Sequence, residues 1–176
     1  MIASAEGRVL EIGIGSGLNL PFYGPEVREI VGLEPAPQLI AMARRVAERR
    51  PVPVRFIEES AAAISLDSNT IDTVVMTWSL CAIPHADCAL REIRRVLKSS
   101  GRLLFVEHGL APDERVRRWQ DWLTPTWKRV SGGCHLNRPI RTMIEGAGFR
   151  FDRLETAYMP GPKPWSFIYE GSARSR

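Results

Sequence analysis

One stretch, Val9-Leu10-Glu11-Ile12-Gly13-Ile14-Gly15-Ser16-Gly17, limits what this chain can become more than any other. An apolar run ends in a carboxylate and then in three alternating glycines. That pattern reads as a buried strand passing through a tight turn into a helix. Glycine reaches backbone angles closed to other residues, and without a Cβ it lets a ligand touch the main chain. The spacing separates one ligand class from another. A dinucleotide fingerprint needs G-x-G-x-x-G. Counted from Gly13, its third glycine would fall where Leu18 stands. The chain instead has acid-x-G-x-G-x-G. Taken alone, the stretch also fits a plain glycine-rich turn of an α/β protein.

The rest of the chain repeats the alternation this stretch begins. Strands are predicted over residues 8–14, 29–33, 54–57, 71–76 and 102–107. A short helix is predicted from Gly17 to Phe22, limited by Pro21. Gln38 to Arg50 and Ala86 to Leu97 carry apolar residues at helical spacing. Strands alternating with helices imply right-handed crossovers and a parallel sheet covered on both faces. Beyond residue 108 a helix is expected over 112–130, kinked or divided by Pro125, and another over 136–147. Two strands follow, 149–154 and 166–170, as an antiparallel hairpin at the sheet edge, and the tail from Gly171 is expected to fray. The expectation is one domain, 1–176, with a core over 8–108, a helical substrate cover over 109–148 and the hairpin over 149–170.

Composition excludes several classes. A chain of 176 residues, 44% apolar and 25% charged, fits one globular domain. The net charge of +4 comes with no run of five basic residues, so nucleic acid is not expected as a partner. No stretch approaches 18 uninterrupted apolar residues, and the first residues lack the pattern of a signal peptide. Cys81, Cys88 and Cys134 are too few and too widely spaced for a disulfide framework or a metal knuckle. A reducing, cytoplasmic setting is the expectation.

Open parallel sheets bind ligands outside the carboxyl ends of their strands. Glu34 ends the second strand about twenty residues after the glycines begin, where a ribose-binding acid belongs. A carboxylate accepts two hydrogen bonds and a ribose diol offers two donors. Pro35 would then offer a flat apolar surface to a purine ring. Otherwise Glu34 is a solvent-facing residue at a strand end.

Residues 9–17, 31–35, 71–80 and 91–107 together resemble the type 11 group of class I S-adenosylmethionine-dependent methyltransferases. The tract Ala89-Leu90-Arg91-Glu92-Ile93-Arg94-Arg95-Val96-Leu97-Lys98 is similar to that group's helix-to-strand signature, with Ser99 and Ser100 standing for its usual proline and glycine. Asn69-Thr70-Ile71-Asp72-Thr73-Val74 resembles its entry to the fourth strand. Glu107-His108 and Gly133-Cys134-His135-Leu136 resemble the small-molecule thiol methyltransferase branch. The resemblance implies a Rossmann-like doubly wound sheet, order 3-2-1-4-5-7-6, mostly parallel with an antiparallel C-terminal strand and helices on both faces. It also implies S-adenosylmethionine as cofactor and S-adenosylhomocysteine as product. Position by position, Glu11 would orient the methionine amino group, directly or through water. Gly13, Gly15 and Gly17 would let the main chain pass the cofactor, and Glu34 would hold the ribose. Ser60 stands where the group has an adenine-binding Asp, with Ala61 after it. Thr77 and Trp78 would contact the methionine end, and Leu80 would lie near the adenine wall. Related enzymes carry helices ahead of the first strand where this sequence has about seven residues; an extended version is expected to bind cofactor more tightly.

A sulfonium methyl is already activated, so transfer needs a nucleophile held in line and water excluded. No metal is expected, since His85, His108 and His135 are scattered and no H-x3-H or C-x2-C occurs. His108, just past the fifth strand, is the candidate general base. Cys81 falls near the crevice or is buried filler. Trp119, Trp122 and Trp127, with His135 nearby, would line a pocket for a small apolar or amphipathic acceptor, a thiol, phenol, quinol or amine. Their basic neighbours also suit a membrane surface. Packing on the sheet is the other reading of these rings. Two further functions remain open: a cofactor-binding domain without activity, and an NAD-dependent oxidoreductase, which Leu18 disfavours. Neither the acceptor atom nor the oligomeric state is readable.

Overall fold

The computed structural model describes residues 1–176. Seven strands form one sheet: β1 Gly7–Ile12, β2 Val27–Leu33, β3 Val54–Ile57, β4 Ile71–Thr77, β5 Leu97–His108, β6 Phe149–Tyr158 and β7 Phe167–Ser175. Their order is β3-β2-β1-β4-β5-β7-β6, as expected. The first five run parallel. β7 lies antiparallel to both β5 and β6, so it is inserted between them and β6 forms the edge. The chain steps outward from β1 to β2 and β3, then returns to place β4 on the other side of β1. That reversal leaves a crevice at the carboxyl ends of β1 and β4.

Five helices accompany the sheet: α1 Pro37–Ala47, α2 Ala86–Val96, α3 Glu114–Val130, α4 Ile140–Gly146 and the single turn α5 Lys163–Ser166. Alternate residues along each strand face opposite sides. One face sends Leu10, Ile12, Val74, Met76, Leu103 and Phe105 into a cluster of 27 buried residues with Leu90, Ile93 and Val96 of α2 and Ile140 and Ile144 of α4. The other face carries Val9, Val75 and Leu104 in a cluster of only 9, capped by Ile14, Leu20 and Tyr23. Each fully buried aliphatic side chain contributes about 1.5–3 kcal/mol, so the α2 face carries most of the stability.

Two local expectations fail and a third, that Pro125 kinks or divides its helix, loses its second half. No α-helix follows the glycines: Leu20–Phe22 make a single 3-10 turn. Pro21 has no N–H for a bond one turn back, and too few residues follow it to nucleate a helix. Leu20 N–H instead bonds Gly17 O at 3.1 Å. α3 is not divided at Pro125 but runs through it for 17 residues. Pro125 and Asp121, whose carbonyl proline leaves without a helical donor, are both exposed residues on the solvent side of the helix. The tail does not fray: β7 continues to Ser175, paired with Phe149. Its small residues are demanded by packing, since a Cβ at Gly171 would collide with the Arg153 carbonyl and the Phe105 ring. No helix is long and apolar enough to cross a membrane.

Candidate active site

The glycine turn lies at the end of β1. Gly13, Gly15 and Gly17 all have positive φ, at 65°, 55° and 82°. A Cβ at Gly13 would sit 2.8 Å from the Ser79 side chain, and one at Gly17 would press on Leu20 and Ala43. At Gly15 it would meet nothing nearer than 3.9 Å. Two of the glycines therefore serve close packing, and Gly15 is the one whose main chain stays bare. Glu34, at the end of β2, turns into this crevice and is 7% exposed. Its Oε2 accepts from Gly15 N–H at 3.2 Å and its Oε1 from Ala36 N–H at 3.1 Å. Each oxygen keeps a second lone pair for a diol. Pro35 is exposed beside it.

Glu11 is buried, and both its oxygens are engaged. Asn19 Nδ2 donates to Oε1 at 2.8 Å and the Tyr23 hydroxyl donates to Oε2 at 2.8 Å. Burial pushes the Glu11 carboxyl up to about 7 against the opposing pull of these two bonds. The same Asn19 amide donates to Thr77 Oγ1 at 2.7 Å, joining β1 to β4. The groups Glu11 presents to the crevice are thus Asn19 and Thr77. With Phe22, Trp78 and Val106 they line a groove of about 460 Å³. Asn19 and Tyr23 escaped the sequence reading, because a polar residue and an aromatic in a turn carry no periodic signal.

After β3, Ser60 is exposed and its hydroxyl accepts from Ala62 N–H at 3.3 Å, while Ala61 is buried. Leu80 corrects an expectation: it is fully buried within the larger core cluster, so it forms no adenine wall. Its N–H donates to Glu107 Oε1 at 2.9 Å. Ser79 N–H donates to the same oxygen at 2.8 Å and Cys81 N–H to Oε2 at 3.4 Å. Burial raises Glu107 to about 7, opposed by these backbone bonds.

The β4–β5 side is where the structure departs most from expectation. Trp78 has a φ of 53°, a conformation that costs a residue with a Cβ about 1–2 kcal/mol. It is 44% exposed and stacks on His108 with ring centroids 5.6 Å apart. His108 Nε2 lies 2.9 Å from Cys134 Sγ, so this nitrogen is not free to act as a base. Cys81 joins them, and the three ligand atoms lie within 4.8 Å of one another. The neighbouring Cys81 thiol, together with His108, pulls the Cys134 thiol well below the ordinary thiol range against the opposing effect of burial. The expectation of no metal-ligand grouping is therefore corrected: the grouping exists, built from three distant segments. His135 is tied to the end of β4. Its N–H and Nδ1 meet Cys81 O at 2.9 and 3.2 Å, and Arg138 bonds the carbonyls of Leu80 and Ile83. Together they pin the 131–138 loop onto the end of β4.

The tryptophans sort differently from the pattern. Trp119 and Trp122 are 57% and 70% exposed, edge to face at 5.5 Å. The buried stripe of α3 is Val116, Gln120 and Thr124. Gln120 bonds Gly109 O, Ala111 N–H and Pro164 O, which fixes that stripe inward. Trp127 does turn inward and meets Trp165 at 5.6 Å.

Comparison with known proteins adds what geometry alone leaves open. Residues 10–105 match the family described as "Methyltransferase domain". The chain is 34% identical over 166 residues to thiol S-methyltransferase TMT1B of Rattus norvegicus, covering 92% of this chain and 67% of that protein. It therefore spans about two thirds of that relative's length. Demethylmenaquinone methyltransferase of Thermus thermophilus is 35% identical over 109 residues, 60% of this chain and 49% of that one. Among solved structures, an S-adenosylmethionine-dependent methyltransferase from Methanosarcina mazei superposes with a TM-score of 0.77 at 18% identity, covering 96% of this chain and 92% of that one. A bare glycine turn, a strand-end carboxylate aimed at it and a family match through both place this chain among the class I S-adenosylmethionine-dependent methyltransferases of type 11.

Proposed function

We propose that the acceptor is a small thiol, and that the enzyme moves the sulfonium methyl onto its sulfur by in-line displacement. One observation carries this reading. The similarity to a thiol S-methyltransferase extends over 92% of the chain, so it takes in most of the half beyond residue 108. That half supplies the 131–138 loop and the hairpin. The match to a demethylmenaquinone methyltransferase covers only 60%.

The cofactor would lie across Gly15 with its ribose on Glu34 and its methionine end toward Asn19, Thr77 and Trp78. The acceptor would enter past Trp78, whose indole lines the groove and stacks on His108. A thiol reacts as its thiolate, and an ordinary thiol is a few per cent ionised at neutral pH. The chain's task is then to hold the sulfur in line with the methyl and keep water out.

The test is transfer of labelled methyl to a panel of small thiols, phenols, quinols and amines. Thiols are expected to be methylated at least tenfold faster than the rest; equal or faster transfer to phenols, quinols or amines overturns the reading. His108→Ala removes the partner of the Cys134 thiol and the ring stacked on Trp78, so it is expected to lower turnover and leave cofactor affinity intact; unchanged turnover would remove His108 from the reaction.

A further inference from the structure

Three soft donors meet where β4, β5 and the 131–138 loop converge. We propose that Cys81, His108 and Cys134 hold one zinc ion, and that its fourth position takes the sulfur of the acceptor thiol. The second half rests on the thiol reading above; the first half does not.

The donor set suits the ion. Two cysteine sulfurs and an imidazole nitrogen are the ligands zinc takes with three protein bonds and one exchangeable position. Ideal bond lengths place such donors about 3.5–3.8 Å apart around a tetrahedral centre. Here His108 Nε2 and Cys134 Sγ are 2.9 Å apart and all three atoms lie within 4.8 Å of one another, a range that includes that edge. Side-chain rotation of a few tenths of an ångström to an ångström would equalise them. The residues are 3%, 7% and 8% exposed, so the ion would be shielded from bulk water.

The surroundings fix the donors without competing for the ion. Glu107 is committed to the N–H groups of Ser79, Leu80 and Cys81, which sets the backbone of the first ligand. His135 Nδ1 is committed to Cys81 O, and Arg138 holds the carbonyls on either side of that residue. Trp78 stacks on the ring of the second ligand. No fourth cysteine, histidine or carboxylate joins the grouping. That marks a three-ligand site rather than a closed structural one. Position supports a part in the reaction. β4 pairs with β1 and β5 with β4, so Cys81 and His108 follow the two strands next to the glycine turn, and a Cβ on Gly13 would meet the Ser79 side chain two residues before Cys81.

The step balances without an outside reactant. The acceptor R–SH binds zinc as the thiolate and its proton leaves to solvent. A sulfur lone pair forms the new bond to the methyl carbon. The carbon–sulfonium bond breaks, and its electron pair stays on the cofactor sulfur, giving neutral S-adenosylhomocysteine. The product is a thioether, a weaker zinc ligand than a thiolate, which favours its release.

The test uses the whole chain under reducing conditions, with zinc alone as the first probe. Dialysis against Zn²⁺ is expected to leave one zinc per chain. Cys81→Ser, Cys134→Ser and His108→Ala should each reduce retention at least tenfold, while Cys88→Ser, at the half-exposed third cysteine, should keep it. Retained S-adenosylmethionine affinity identifies variants that are folded. Cobalt(II) in place of zinc should show thiolate-to-metal absorption, and 2-mercaptoethanol should shift its visible bands. Chelation should lower thiol methylation at least tenfold, restored by Zn²⁺. Absence of stoichiometric zinc, or equal retention in the three variants, overturns the site. Bound zinc with cobalt bands indifferent to added thiol overturns the acceptor position. Thiol methylation that continues undiminished without metal overturns the inference and leaves the thiol reading standing. Zinc bound by these residues while the methyl goes to phenols overturns that reading and keeps the site.

Discussion

The two sides of the crevice are held together by different means. On the β1–β2 side, the contacts that shape the ribose end run between a carboxylate and main-chain N–H groups, Glu34 to Gly15 and to Ala36. On the β4–β5 side, side chains from three segments converge, and one buried carboxylate, Glu107, ties three consecutive backbone donors beneath them. The first side depends on local backbone shape and one acid. The second depends on distant segments staying in register. Loss of a contact should therefore be felt as weaker cofactor binding on one side and as weaker folding on the other.

The largest effect should come from Glu107→Ala. It leaves three buried N–H groups without an acceptor, at about 1–3 kcal/mol each. Urea unfolding should show a loss of about 3 kcal/mol or more, with Glu107→Gln losing much less because its carbonyl oxygen still accepts from Ser79 and Leu80. A variant within about 1 kcal/mol of the parent would break the contrast between the two sides.

Glu11 gives the next largest effect, as a pH dependence. Its carboxyl sits at about 7 in the folded state, above the ordinary 4.5, because it is buried. The folded chain therefore binds this proton more tightly than the unfolded chain. The resulting stabilisation is complete below about pH 4.5 and is lost as pH rises through 7, amounting to about 3 kcal/mol. Glu11→Gln cannot titrate, so its stability should fall less over that window. Parallel curves in urea at pH 4.5, 6 and 8 would show that Glu11 does not carry the proton.

On the ribose side, Glu34→Ala should weaken S-adenosylmethionine binding about 30-fold to 100-fold by calorimetry, as loss of hydrogen bonds to a charged acceptor implies. Gly15→Ala adds a Cβ where nothing lies nearer than 3.9 Å, at a φ of 55°. It should cost about 1–2 kcal/mol of stability from backbone strain and should weaken cofactor binding further. Gly13→Ala meets Ser79 at 2.8 Å and should lose more stability than Gly15→Ala. Equal losses at the two glycines would mean that φ alone, and not the neighbouring side chain, sets the cost.

What could be read in advance follows the same division. The glycine turn and Glu34 were legible because their contacts join neighbouring elements whose periodicity is local, whereas the strand order came from the family resemblance. The grouping of Cys81, His108 and Cys134 was not, because 26 or 27 residues separate its members and spacing rules recognise ligands only when they are close in sequence. Glu107 was noticed only as His108's neighbour, since nothing in an apolar strand reveals which backbone donors a buried acid will meet. In α3 the pattern misled for two of three rings. Trp127 turns inward, but Trp119 and Trp122 stay outside and Gln120, with three backbone groups to satisfy it, takes the buried stripe. A polar side chain fully satisfied by hydrogen bonds costs little to bury, and a ring left outside merely forgoes its burial.

Trp119 and Trp122 give the smallest effect, and it bears on the acceptor side. They are more than half exposed and touch each other edge to face, a pairing worth about 0.5–1.5 kcal/mol. The double variant Trp119→Ala, Trp122→Ala should therefore lose about 1 kcal/mol of stability, with cofactor affinity and methylation of a small soluble thiol unchanged. A tenfold fall in kcat/KM for that thiol would return the pair to the acceptor's path. Their exposure beside Arg115 and Arg118 suits contact with an anionic surface instead. Binding to anionic vesicles should then drop in the double variant while soluble turnover holds, because the rings would act on where the enzyme sits and not on the bond it makes.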